Sequence, residues 1–186
     1  MIPYALPALR LASLVGVAFM LVACSPKLDW RELQPGDAGL SLMFPCKPAV
    51  QSRAEPDAPA SAAGTAPRAL GLAVCQADEL SFSLAWAEVG DPAQLDAALR
   101  EMRTSLLARL QAKGGPTQVL ALQGMTPSDE AVQQSFETVA AGQLREGRVA
   151  VFARGLRIYQ LVLLGARPGA AAQPWDGFIG GVRLAP

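Results

Sequence analysis

Apolar positions along this chain fall into three patterns. One is a long, uncharged and largely apolar run at residues 11–23. Another is alternation, which puts every second side chain on one face of a strand. It predicts strands at 39–44, 68–76 and 80–88, with Leu80, Phe82, Leu84 and Trp86 of the last facing one way. Ala77, Asp78 and Glu79 separate the last two strands, which predicts a hairpin. The remaining pattern is a helical stripe of Leu95, Ala98, Leu99, Met102, Leu106, Leu107 and Leu110, with Arg100, Glu101, Arg103 and Arg109 largely outside it. It is expected to pack on the sheet. Asp91 suits the cap of this helix, Pro92 its first position and Gln94 the box partner. Gly114, Gly115 and Pro116 are expected to stop it.

Further along, the period returns to two. Residues 117–122 and 135–144 are expected as strands, although the front half of 135–144 also fits a helix. Residues 145–147 read as a tight turn. Residues 148–154 and 156–165 form the strongest strand pair, turning at Gly155, and the second is apolar on both faces at its end, as a central strand is. Trp175, Phe178, Ile179 and Val182 recur at helical spacing, which predicts a short final helix over 174–182. Pro45 and Pro48 end the first strand. Residues 54–67, rich in Ala, Pro, Gly, Ser and Thr, read as a flexible loop. The order of elements predicts an α+β fold over residues 38–186: an antiparallel sheet with one long helix and a C-terminal helix packed on it.

The N-terminal run adds a location. It is too short for a bilayer core, which needs about 20 residues, but it fits a signal peptide behind Arg10 and the free amine. It closes on Leu21, Val22, Ala23 and Cys24, which resemble the four-residue box of bacterial lipoprotein signals. That resemblance implies that residues 1–23 are removed and that Cys24 takes a diacylglyceryl and an N-acyl chain. Two buried chains anchor stably where one does not. Residues 24–37 would then tether the domain. Ser25 follows the cysteine, not the Asp that retains such proteins at the inner membrane, so the resemblance implies the periplasmic face of the outer membrane. The alternative is an uncleaved anchor over residues 2–23, which would put Arg10 in the bilayer at a cost of a few kcal/mol. Trp30, within the tether, is placed either at the membrane interface or as a cap on the core.

Removing residues 1–23 from the 186 leaves 163, ample for one core. The full chain has 16 basic and 16 acidic residues, a balance that argues for neither nucleic acid nor a cation buffer. It has no histidine, which removes Ser-His-Asp and Cys-His catalysis and the commonest zinc and copper ligand. No cofactor is expected. With Cys24 assigned to lipid, Cys46 and Cys75 remain as an even pair in an oxidising compartment and read as a disulfide. It would close about 29 residues and contribute about 3–4 kcal/mol in the chain-entropy account. The alternative, a redox or metal-binding pair, lacks Cys-x-x-Cys spacing and a nearby ligand.

Other candidate chemistry has a plainer reading each time. Asp129 and Glu130 form a loop carboxylate pair, but calcium needs more oxygens at set spacing. Lys47 reads as an exposed charge at a strand end, and Tyr159 as strand packing. Arg145, Arg148, Arg154 and Arg157 lie along one hairpin in the alternation that a one-sided sheet produces, and are also the residues a basic face would use. Gly114 and Gly115 lack the following Lys and Ser or Thr of a phosphate loop.

The string from Gly39 to Pro48, Gly-Leu-Ser-Leu-Met-Phe-Pro-Cys-Lys-Pro, resembles the opening of PsbP and Mog1-like domains. Gly155-Leu-Arg-Ile-Tyr-Gln-Leu, followed by a helix bearing Phe178, resembles their C-terminal part. With the lipid box and the Cys46/Cys75 pair, the chain is also similar to uncharacterised Gram-negative lipoproteins built this way. The resemblance implies a non-enzymatic binding or assembly module, with the membrane reached through the lipid, an envelope protein as partner, and no nucleic acid. Two alternatives stay open. One is an envelope hydrolase or transferase using carboxylates or a Ser/Lys pair. The other is a carrier of an apolar ligand.

Overall fold

The structure, a computed structural model, describes residues 28–36, 38–54, 69–165 and 168–185. Residues 1–23, Cys24 and, beyond Ala54, the expected loop at 54–67 lie outside the described residues.

The described strands are β1 (Arg31–Leu33), β2 (Leu40–Phe44), β3 (Ala49–Ala54), β4 (Ala69–Ala77), β5 (Leu80–Glu88), β6 (Lys113–Val119), β7 (Val132–Ala140), β8 (Gln143–Arg154), β9 (Arg157–Gly165) and β10 (Arg183–Leu184). The helices are α1 (Leu95–Arg109) and α2 (Ala172–Gly180). Seven strands form one antiparallel sheet in the order β3-β4-β5-β9-β8-β7-β6, and β1-β2-β10 form a small second sheet. This is an α+β fold of mostly antiparallel strands with two helices.

Alternation along each strand divides the large sheet into two faces. On one, Phe82, Leu84 and Trp86 of β5 lie level with Leu163, Leu161 and Tyr159 of β9. They are buried together with Phe44 of β2 and Trp175 and Phe178 of α2. On the other face, Val149, Val151 and Ala153 of β8 and Ile158 and Val162 of β9 are buried with Leu95 and Leu99 of α1. The expected stripe is the packing face of α1: Met102, Leu106, Leu107 and Leu110 are half-buried against this second cluster. The disulfide joins Cys46, just past β2, to Cys75 on β4, with Cα atoms 6.0 Å apart. It therefore staples the small sheet to the large one.

Several expected boundaries move. Residues 28–36, expected as tether, belong to the domain. β1 pairs with β2, and the Trp30 ring meets Phe82 edge-on at 5.9 Å, the core-capping alternative of the two. Asp91 accepts from the Ala93 N–H at 2.9 Å, but it caps a short 3-10 turn ahead of α1, and the Gln94 side chain makes no capping bond. Helix α1 ends at Arg109, before the glycines, where Gln111 turns the chain at φ 49°. Gly114, Gly115 and Pro116 lie within β6, so that strand begins at Lys113, not 117. The strand expected at 135–144 is two strands, reversing at Ala141 and Gly142, both with positive φ. Residues 145–147, expected as a turn, run through β8. Gly147 has a packing role there: a Cβ would lie 2.2 Å from the Phe136 ring, so only glycine lets that ring lie across the sheet. The expected final helix begins two residues earlier and ends at Gly180.

Candidate functional site

Strands β6, β7 and β8 form one end of the large sheet, alongside α2. Their alternation turns polar there. Gln133, Ser135 and Glu137 of β7 share the face that carries α2, as do Glu146 and Arg148 of β8, with Ser135 opposite Arg148 and Glu137 opposite Glu146. The β6–β7 ladder shifts register between Gly114 and Thr117, and Gly115 and Pro116 border the groove at that break. A Cβ on Gly115 would sit 2.8 Å from Ser135 Oγ, so the serine side chain would have to shift to admit one.

The groove has two parts that share Ser135 as a wall. One is a cavity of about 100 Å³ walled by Pro116, Gln118, Gln133, Ser135, Arg148 and Trp175. The other, about 260 Å³, continues from Ser135 past Lys113, Glu137 and Glu146. In the first, Trp175 Nε1 donates to Gln133 Oε1 at 3.0 Å, which orients the amide and leaves its NH₂ free to donate. Arg148 Nε is buried without a hydrogen-bond partner, as are Arg103 Nε and Arg145 Nε outside the groove. A buried, unmatched donor carries the full cost of its lost hydration. In the second part, Glu146 Oε2 accepts from the Gly169 N–H at 2.6 Å.

Among the described residues, the four charges of the groove (Lys113, Arg148, Glu137 and Glu146) make no ion pair. Charges elsewhere do: Glu130 meets Arg100 at 2.8 Å and Arg103 at 3.6 Å, and Glu88 meets Arg157 at 3.3 Å. Ser135 Oγ makes no hydrogen bond to Lys113 among the described residues. The nucleophile–base contact that a Ser/Lys pair uses is therefore not formed in this structure.

The residues singled out from sequence separate widely. Cys46 and Cys75 are joined; Cys24 is outside the described residues. Glu130 of the Asp129/Glu130 pair is committed to the two arginines of α1. Among the described residues, no group of three or more Cys, Asp or Glu is placed to hold a metal. Lys47 is exposed after β2. Tyr159 is buried: its hydroxyl donates to Ala38 O at 2.8 Å and its ring stacks on Phe152 at 5.0 Å. Burial raises its pKa above the ordinary value of 10.0, against the opposing charges of Arg157 and Arg154. The four hairpin arginines do not form one basic face. Arg148 is in the groove, Arg154 and Arg157 are opposite each other at the β8–β9 turn, and Arg145 pairs with Thr138 on the face of α1.

Gln133, Ser135, Glu137 and Glu146 were not identifiable as a site from sequence. The polar spacing of Gln133, Ser135 and Glu137 was the available signal, but the turn expected at 145–147 separated Glu146 from Arg148. Together, fold and groove define an α+β domain with a polar, charge-balanced cleft at one end of its sheet. No known protein-family model matches the chain, and no curated protein matches it. Among the described residues, no helix is long and apolar enough to cross a membrane.

Proposed function

We propose that this protein is a lipid-anchored, non-enzymatic binding module of the Gram-negative envelope. Cys24 holds it at the periplasmic face of the outer membrane, and the groove between β6–β8 and α2 receives an envelope component. The observation that carries the binding role is the set of charges lining that groove, Arg148 above all, that make no ion pair among the described residues. The anchoring role is supported by Leu21-Val22-Ala23-Cys24 and by an inter-sheet disulfide that suits an oxidising compartment. An antiparallel sheet with α1 on one face and α2 on the other supports a PsbP/Mog1-like reading of the fold.

The test is membrane fractionation of wild type and Cys24→Ala, with partners crosslinked in both. Wild type is expected in the outer-membrane fraction and Cys24→Ala in the released periplasmic fraction. Continued sedimentation of Cys24→Ala with the outer membrane would remove the anchor. For the groove, Arg148→Gln is expected to lose crosslinked partner while keeping the wild-type unfolding midpoint. Undiminished crosslinking would remove the binding role from this site.

A further inference from the structure

We infer that the groove recognises the two free ends of a short peptide, with the carboxylate on Arg148 and the ammonium between Glu137 and Glu146. This rests on the binding-module reading and names the chemistry of its ligand. The carboxylate end follows from the smaller cavity. Arg148 lines it and presents a planar fork, whose geometry matches a carboxylate bidentately, and among the described residues this fork makes no ion pair. Ser135 and the free NH₂ of Gln133 add neutral donors at the same cavity, and none of its walls is a carboxylate. At about 100 Å³ the cavity has room for roughly three water molecules at about 30 Å³ each, the scale of a carboxylate with its first carbon.

The ammonium end follows from the larger part. Glu137 and Glu146 stand directly opposite across β7 and β8, an arrangement that like charges destabilise. A cation between them relieves that repulsion. Lys113 is opposite Glu137 in register on β6 but makes no ion pair with it, so both carboxylates keep acceptor capacity. With Lys113 and Arg148 balancing Glu137 and Glu146, the groove is formally neutral and matches a zwitterion better than a dianion. Spacing selects the ligand length. Same-face neighbours on a strand, as Glu146 and Arg148 are, stand about 6.6–6.8 Å apart. The amine and carboxyl carbon of one amino acid are only about 2.5 Å apart, whereas adding a residue across a trans peptide, whose Cα atoms are about 3.8 Å apart, brings the ends of a dipeptide to about 6 Å.

The experiment is calorimetric titration of the full mature chain in detergent micelles with L-Ala-L-Ala, its N-acetyl form and its C-amide. The free dipeptide is expected to bind at least about tenfold more tightly than either blocked form, since 1.4 kcal/mol corresponds to a factor of ten. Arg148→Gln is expected to abolish discrimination against the amide while keeping discrimination against the acetyl form; Glu146→Gln is expected to do the reverse. Equal binding of the free and amidated dipeptides by wild type overturns the carboxylate assignment, and equal binding of free and acetylated forms overturns the ammonium assignment. These comparisons change the ligand, so they do not depend on a variant folding. If no dipeptide binds, but an envelope partner still crosslinks to wild type and not to Arg148→Gln, the peptide-end assignment falls and the binding module stands. If that crosslink also fails to depend on Arg148, both fall.

Discussion

The two faces of the large sheet are buried by different means. One is closed by a single amphipathic helix, α1, over an almost wholly aliphatic layer in which Phe136 is, among the described residues, the one buried ring. The other is closed by β2, α2 and the Trp30 segment, pieces from both ends of the chain, over a layer rich in rings. Phe178 meets Phe44 and Phe82 at 5.3 Å and Trp175 at 6.3 Å, and Phe82 also meets Trp30, all edge-on. A continuous helix carries its own spacing, so an apolar stripe suffices to seat it. Short pieces that meet only in three dimensions have no such frame. Large rings with preferred edge-to-face geometry and a disulfide between the sheets give them one.

The largest test of that contrast compares Phe82→Ala with Leu99→Ala by urea unfolding. Phe82→Ala removes a ring shared by two other rings and is expected to cost about 4 kcal/mol; Leu99→Ala is expected to cost about 3 kcal/mol. A larger loss at Leu99 would mean that the helix, not the ring cluster, carries more of the stability. A smaller test uses one glycine on each face. A Cβ on Gly71 would stand 2.0 Å from the Trp86 ring, and one on Gly147 2.2 Å from the Phe136 ring. Gly71→Ala and Gly147→Ala are each expected to cost about 1–3 kcal/mol through overpacking, with Gly71 the costlier. In a double-mutant cycle, Trp86→Leu is expected to offset part of the Gly71→Ala loss and none of the Gly147→Ala loss. Equal relief of both would erase the separation of the faces.

The smallest effect is at Tyr159. Tyr159→Phe leaves the buried Ala38 carbonyl without its donor and is expected to cost about 1–2 kcal/mol near neutral pH. Burial raises the folded pKa of this phenol above 10.0. Its contribution to stability is therefore fully present below that value and is lost as pH rises through the raised folded pKa, because the unfolded chain releases the proton first. The alkaline limb of the stability profile is expected to be shallower in Tyr159→Phe. An unchanged limb would mean that the phenol titrates alike in both states.

Much of the regular framework, on both faces, was legible in the sequence. The α1 stripe, the alternation of β5, the β4–β5 hairpin and the Gly155 turn each lie within a short window, where side-chain period reports local geometry. The edges and the groove were not legible in that way. β3, Ala-Val-Gln-Ser-Arg-Ala, pairs on one side only and is exposed at residues 49–53, so no buried face wrote a period into it. β6 carries Gly114, Gly115 and Pro116 because an edge strand with a register shift tolerates them. The reversal at Ala141 and Gly142 lacks the Asn-Gly or Asp-Gly signal that marks many two-residue hairpins.

The sequence by itself determined the class of fold, the long helix with its buried stripe, and the cysteine pair, because each depends on periodicity or on a count. Only the tertiary structure decided that Trp30 belongs to the core, that Cys46 and Cys75 join the two sheets, and that Ser135 faces Arg148 while Glu137 faces Glu146. Those facts depend on register between strands and on which distant segments cover each face. Register is set by the summed packing of the whole sheet, and a one-residue slip would send every side chain of a strand to the opposite face.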